Sequence, residues 1–130
     1  MQIAWRIALI LLTGFSFILM HELGHWTVAE AFSLDPQFVL GGANSGILGL
    51  AVGVMHNPAS TGEQTMIILG ATLLPMLVVV AAAGAAHFTG SETAVMVAEI
   101  YLLLIVVNLV PIPGVGQLDS NRLMAAVLPP

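Results

Sequence analysis

Residues 3–25 of this 130-residue chain read IAWRIALILLTGFSFILMHELGH, a long apolar run that ends in a motif with two histidines. Its first part, residues 3–20, is almost entirely apolar, with Arg6 as its one charged residue, and it leads directly into His21. A run of about 20 apolar residues is long enough to cross a bilayer as a helix. The run is too long for the core of a secretory signal, and no small-residue cleavage site follows it. We therefore predict a retained membrane-spanning helix over residues 3–30.

The composition of the whole chain is that of a membrane protein. Hydrophobic residues make up 58% of the chain and charged residues 7%, and the mean hydropathy is +1.03. These values lie far outside those of soluble domains. Arg6 and Arg122 are the only basic residues, which is too few to neutralise phosphates, so we predict no nucleic-acid partner. The chain contains no cysteine, so any zinc site must use His, Asp or Glu ligands.

Two further segments are long and apolar enough to cross the membrane, residues 65–86 and residues 93–110. At ~1.5 Å per residue they span about 33 and 27 Å, close to the ~30 Å of a hydrocarbon core. Ser60 and Glu63 form the Ser-x-x-Glu pattern of a capping box just before the first of these segments. Only residues 87–92 separate the two segments, so we predict that they form antiparallel neighbouring helices.

The segment between the first and second helices, residues 35–58, is apolar but too rich in glycine to form a helix. Non-helical backbone at membrane depth persists only where it is buried in protein or lines a water-filled cavity. We predict a re-entrant loop or a short β-hairpin here, and an ordinary interfacial loop is the alternative. The predicted fold is thus an all-α membrane protein with three transmembrane helices, forming a single core over residues 1–130. The glycines of this segment are Gly41, Gly42, Gly46, Gly49 and Gly53.

The direction of the chain predicts which segments share a membrane face. His21 lies about 27 Å along a helix that starts near Ile3, close to the surface at which that helix ends. We call this surface face X. The second helix returns to the opposite surface and the third comes back, so residues 108–122 are delivered to face X as well. The end of the first helix and this later segment are therefore predicted to lie together.

The spacing of His21 and His25 favours a metal site. Residues four apart on a helix lie on one face, at a separation that suits a single metal ion. Glu22 projects about 100° away and would reach a metal-bound water, accept its proton as general base and later pass that proton to the leaving amine. The alternative is a pair of interfacial histidines. That alternative is disfavoured because ionisable groups are costly at membrane depth, and three of them within five residues indicate a common function.

A catalytic zinc ion needs three protein ligands and an open fourth position, so a third donor is required. His87 and Glu92 are predicted on the opposite face, and Glu99 lies about midway along the third helix. Asp119 is the best-placed candidate because it lies at face X after prolines and glycines that break the helix. His56, in a predicted turn, is the runner-up. The remaining candidates are Glu30, Asp35 and Glu63.

These motifs resemble those of the site-2 protease family of intramembrane zinc metalloproteases. That family pairs a His-Glu-x-x-His helix with a downstream Asn-x-x-Pro-x-Pro segment that ends in Leu-Asp-Gly. In this chain Ser120 stands where the family usually has the final glycine. The residues that match the two motifs are His21, Glu22 and His25 in the first, and Asn108, Pro111, Pro113, Leu118 and Asp119 in the second.

The resemblance implies an endopeptidase that cuts in or near transmembrane segments of membrane-protein substrates. It further implies one zinc ion per chain, with Asp119 as the third ligand. Asn108 would orient the substrate, and a strand edge in residues 35–58 would pair with an unwound substrate segment. Face X would be the cytosolic face.

Two other functions stay open at the level of sequence. One is a zinc-binding membrane protein without protease activity, such as a sensor, scaffold or metal-handling subunit. The other is a protease whose third ligand is a glutamate. Three helices alone would enclose a hydrated metal ion only partly. We therefore predict that the chain forms a homo-oligomer or works with an accessory membrane subunit.

Overall fold

The computed structural model describes residues 2–40, 52–57 and 59–110. Three helices, each long and apolar enough to cross a membrane, account for most of these residues, and a two-stranded antiparallel sheet lies between the first helix and the second. The predicted all-α membrane fold with a hairpin after the first helix is therefore confirmed. The elements are α1 Gln2–Ala31, β1 Gln37–Leu40, β2 Val52–Met55, α2 Thr61–Thr89 and α3 Glu92–Leu109.

The second helix is longer than its apolar stretch. It begins at Thr61 because Ser60 caps it: the Ser60 backbone N–H donates to Glu63 Oε2 over 2.7 Å, and the Ser60 side chain accepts from the Glu63 backbone N–H. At the other end Gly90 adopts the left-handed conformation, with φ of 66°, and donates its N–H to the Ala86 carbonyl. The turn between α2 and α3 was predicted over residues 87–92, but it consists only of Gly90 and Ser91.

Packing contacts show that α2 runs antiparallel to α1. Ala29 packs with Ile67, so the start of α2 lies beside the end of α1. Farther along α2, Val78 and Val79 pack against the cluster that contains Phe17. Residue numbers thus fall along α1 as they rise along α2.

The third helix runs parallel to α1. Arg6 and Glu92, near the starts of the two helices, line one cleft. About ten residues farther along α1, Ser16 Oγ lies 2.6 Å from Tyr101 Oη and Phe17 packs with Tyr101 and Ile105. The end of α3 is therefore on the same side of the bundle as the end of α1, in agreement with the predicted topology.

The backbones of α1 and α2 touch at Gly24 and Gly70. A Cβ atom at Gly24 would collide with the carbonyl oxygen of Gly70 and lie 2.6 Å from the Cα of Ala71. A Cβ atom at Gly70 would collide with Val28. Small residues allow transmembrane helices to approach this closely. The crossing point lies inside the His-Glu-Leu-Gly-His sequence, so α2 packs directly against the turn that carries the two histidines.

The hairpin is fixed to the end of α1 by Trp26. Its indole N–H donates to the Pro36 carbonyl over 3.2 Å, and its ring stacks on Phe38 with centroids 6.1 Å apart. The two strands pair from Gln37 opposite Met55 to Leu40 opposite Val52. Because Trp26 directly follows His25, these contacts place the hairpin beside the histidine turn.

Candidate metal centre

The three ionisable side chains of the α1 motif converge on one point. One donor atom each from His21, Glu22 and His25 lies within 4.8 Å of the other two. Two donors bound to one zinc ion at about 2.1 Å can be no farther apart than about 4.2 Å, so small side-chain rotations bring the imidazoles to chelating distance. Nitrogen and oxygen donors of this kind suit zinc. The residues present therefore fit a divalent metal ion.

The setting of this group differs from that of a solvated helix face. His25 is buried, with 9% of its surface exposed, and Glu22 is half-buried. The α2 backbone at Gly70 covers Gly24, which lies between the two histidines in the same helical turn. A charged or metal-bound group in such a place interacts through a medium less polarisable than water, which strengthens its electrostatic interactions.

Four rings contact one another in series from the centre of the bundle to the two imidazoles. We call Tyr101, Phe17, His21 and His25 the aromatic ladder. Phe17 stacks on His21 with centroids 5.8 Å apart and planes at 20°, and His21 meets His25 edge-on at 4.9 Å. Tyr101, with 1% of its surface exposed, meets the other side of Phe17 edge-on at 5.5 Å. The ladder links the turn of α1 that carries the histidines to the buried centre of the bundle.

The end of α3 lies at about the level of His21. Phe17 packs against Ile105, and from this contact His21 is about 6 Å and Asn108 about 4.5 Å farther along their parallel helices, at ~1.5 Å per residue. The Asn108 side-chain N–H donates to the Leu104 carbonyl over 3.0 Å. The chain therefore leaves α3 close to the depth of the histidines.

Asp119, predicted as the third zinc ligand, lies outside the described residues, as does the rest of the segment 111–122. Its placement stays a prediction, and so does the predicted substrate contact of Asn108.

No family model matches the chain, and no curated protein and no solved structure matches it either.

Several alternative ligands have other positions in the structure. Glu63 accepts from Ser60 as part of the α2 cap, and His56 Nδ1 lies 2.7 Å from the Asn57 carbonyl oxygen. Glu99 lines a cleft with Arg6, away from the histidines. Over residues 2–40, 52–57 and 59–110, only His21, Glu22 and His25 form a group of three potential ligands.

Sequence reasoning missed the residues that position the histidines. Phe17 had a local signal, because positions 17, 21 and 25 share one helical face. Tyr101 and Ser16 had none, since their 2.6 Å contact joins residues 85 positions apart. Gly24 was read only as part of the motif, although its missing side chain is what admits α2 to the site.

Proposed function

We propose that this chain is an intramembrane zinc endopeptidase of the site-2 protease type, which hydrolyses peptide bonds in or near transmembrane segments of other membrane proteins. One observation carries the proposal. Donor atoms of His21, Glu22 and His25 lie within 4.8 Å of one another on a helix long and apolar enough to span a membrane. Ionisable groups are costly at membrane depth, and those found there usually serve function.

In this proposal each residue of the group has a separate task. His21 and His25 hold the zinc ion, and Asp119 completes the ligand set from the segment after α3. When bound, zinc polarises the scissile carbonyl and lowers the pKa of water in its open position. Glu22 accepts a proton from the attacking water and passes it to the leaving amide nitrogen.

The substrate must expose a peptide bond before this chemistry begins. A transmembrane helix satisfies its amides through its own hydrogen bonds, so the substrate unwinds locally. In the proposal a free edge of the β1–β2 hairpin, held beside His25 by Trp26, pairs with the unwound strand. Asn108, at about the depth of His21, orients it. A second copy of the chain or an accessory membrane subunit would enclose the site further.

A cleavage assay tests the proposal directly. The purified chain is reconstituted into liposomes with a helical transmembrane peptide, and products are identified by mass spectrometry. We expect chelation to abolish cleavage and added zinc to restore it. Glu22→Gln should reduce the rate by about 10²- to 10⁴-fold, the usual contribution of a general base.

Glu30→Gln is the matched control, because it removes the same charge from an exposed position of the same helix. It should cleave at the rate of the unaltered chain. Asp119→Ala should lose zinc whereas Glu99→Ala should keep it, which tests the third ligand. Cleavage that survives both chelation and Glu22→Gln would contradict the proposal.

A zinc-binding protein without protease activity is the second candidate. The observation that favours it is the position of the Glu22 carboxylate, which lies within 4.8 Å of both imidazoles and is thus near enough to be a ligand itself. The two candidates differ in what Glu22 does. A ligating Glu22 is needed for metal binding, whereas a general base is needed only for turnover.

A further inference from the structure

A second polar site lies far from the histidines. A cleft of about 540 Å³ opens between the first turns of α1 and the first half of α3, and Arg6, Glu92 and Glu99 line it. Arg6 precedes His21 by 15 residues, or about 22 Å along α1. The cleft is therefore near the membrane surface opposite face X, and none of its residues belongs to the proposed metal centre.

The negative side chains of this cleft lie on α3 and the positive one lies on α1. Glu92 and Glu99 are seven residues apart, which is about two helical turns, so both carboxylates lie on one face of α3. Arg6 faces them from α1. Among the residues that the structure describes, no ion pair joins Arg6 to either carboxylate. The cleft thus presents one cationic wall and one anionic wall to whatever enters it.

Apart from Thr93, the rest of the lining is apolar. Trp5 and Leu9 extend the α1 wall, and Val95 and Met96 lie between the two carboxylates on α3. Both helices begin near this point and continue as candidate membrane spans, and Trp5 has the position typical of aromatic residues at the level of lipid headgroups. A ligand that matches these walls carries a positive group, a negative group and hydrocarbon.

We propose that the cleft binds a phospholipid whose headgroup carries both a phosphate and a free ammonium group. The Arg6 guanidinium pairs with the phosphate, to which its fork of N–H donors is suited. The carboxylates of Glu92 and Glu99 accept hydrogen bonds from the ammonium group. The acyl chains continue along Leu9 and Met96 into the bilayer. An anionic lipid without an ammonium group leaves the carboxylates facing a negative charge, and a quaternary ammonium offers them no N–H donor.

Lipid retention by the purified full-length chain tests this. The chain is exchanged into detergent with equal amounts of phosphatidylethanolamine, phosphatidylcholine and phosphatidylglycerol, and the retained lipids are quantified by native mass spectrometry. We expect phosphatidylethanolamine to be enriched about fivefold over each of the others, as an exposed but specific charge pair would give. Arg6→Gln and Glu92→Gln should each remove the enrichment.

Glu30→Gln is the control, because it makes the same charge change at the other end of α1. Helical content by circular dichroism establishes that each variant is folded. The proposal is overturned if the three lipids are retained equally, if phosphatidylglycerol is preferred, or if the preference for phosphatidylethanolamine survives both cleft substitutions.

Discussion

Phe17 lies against the face of the His21 imidazole, and the ring orientation of His21 depends on it. Only 4% of the Phe17 surface is exposed, and Tyr101 meets its other side edge-on. Neighbours that orient a metal ligand often matter nearly as much as the ligand itself. His21 therefore has an orientation set by the centre of the bundle, although it lies near the end of the helix.

Replacement of Phe17 by leucine should weaken metal binding. The shorter side chain cannot stack on the imidazole, and a ring contact of this kind contributes about 0.5–1.5 kcal/mol, so zinc affinity should fall by about 2- to 12-fold. Titration of the purified chain with Zn²⁺ against a competing chelator measures this. Phe15→Leu is the matched control, because Phe15 is on the same helix and 56% exposed. Equal affinities in the two variants would show that the aromatic ladder does not position His21.

The crossing of α1 and α2 at Gly24 and Gly70 determines how closely α2 approaches the histidines. It presses α2 against the histidine turn of α1, and the backbone contact leaves no space for a side chain. Other glycines of the same helices have no such role. A Cβ atom at Gly14 or Gly84 would meet no described atom within 4 Å.

Gly24→Ala should separate α1 from α2 and destabilise the fold. Added bulk at a tight contact costs about 1–3 kcal/mol, whereas Gly14→Ala should be neutral or stabilise its helix by up to about 1 kcal/mol. Unfolding in mixed detergent micelles, followed by circular dichroism, compares the two variants. If Gly24→Ala is as stable as Gly14→Ala, the two helices do not pack as closely as described.

Elements that depend on local sequence could be predicted, whereas contacts between residues far apart in the sequence could not. Apolar length predicted three helices, and the cap at Ser60 is a local signal that the structure confirms. The start of α2 was predicted too late because residues 61–64 are helical without being apolar. The i, i+4 spacing predicted that His21 and His25 converge, whereas the contact of Ser16 with Tyr101 has no trace in local sequence.

Because α2 runs antiparallel to α1 and α3, the ends of α1 and α3 lie on one side of the bundle. The cluster of Ala29, Leu34 and Ile67 lies on that side, and the short link at Gly90 and Ser91 lies on the other. This topology brings the last residues of α3 to the side of the bundle on which the histidines lie. It also separates the group of His21, Glu22 and His25 from the charged cleft by most of the length of α1.

Single cysteines can report this topology, because the chain contains none of its own. Phe32→Cys, just after α1, and Phe88→Cys, near the end of α2, replace exposed side chains at opposite ends of the bundle. We expect a membrane-impermeant maleimide to label only one of them from each side of a sealed vesicle. Labelling of both from the same side would contradict three complete crossings.

The zinc content and the cleavage activity of Glu22→Gln, measured on one preparation, distinguish a catalytic zinc site from the alternatives. If the two imidazoles hold a catalytic zinc and Glu22 moves a proton, the variant should keep one zinc ion per chain, as in the unaltered protein, and should cleave a helical membrane peptide about 10²- to 10⁴-fold more slowly. A variant that cleaves at the unaltered rate, or an unaltered chain that holds no zinc, would contradict the account.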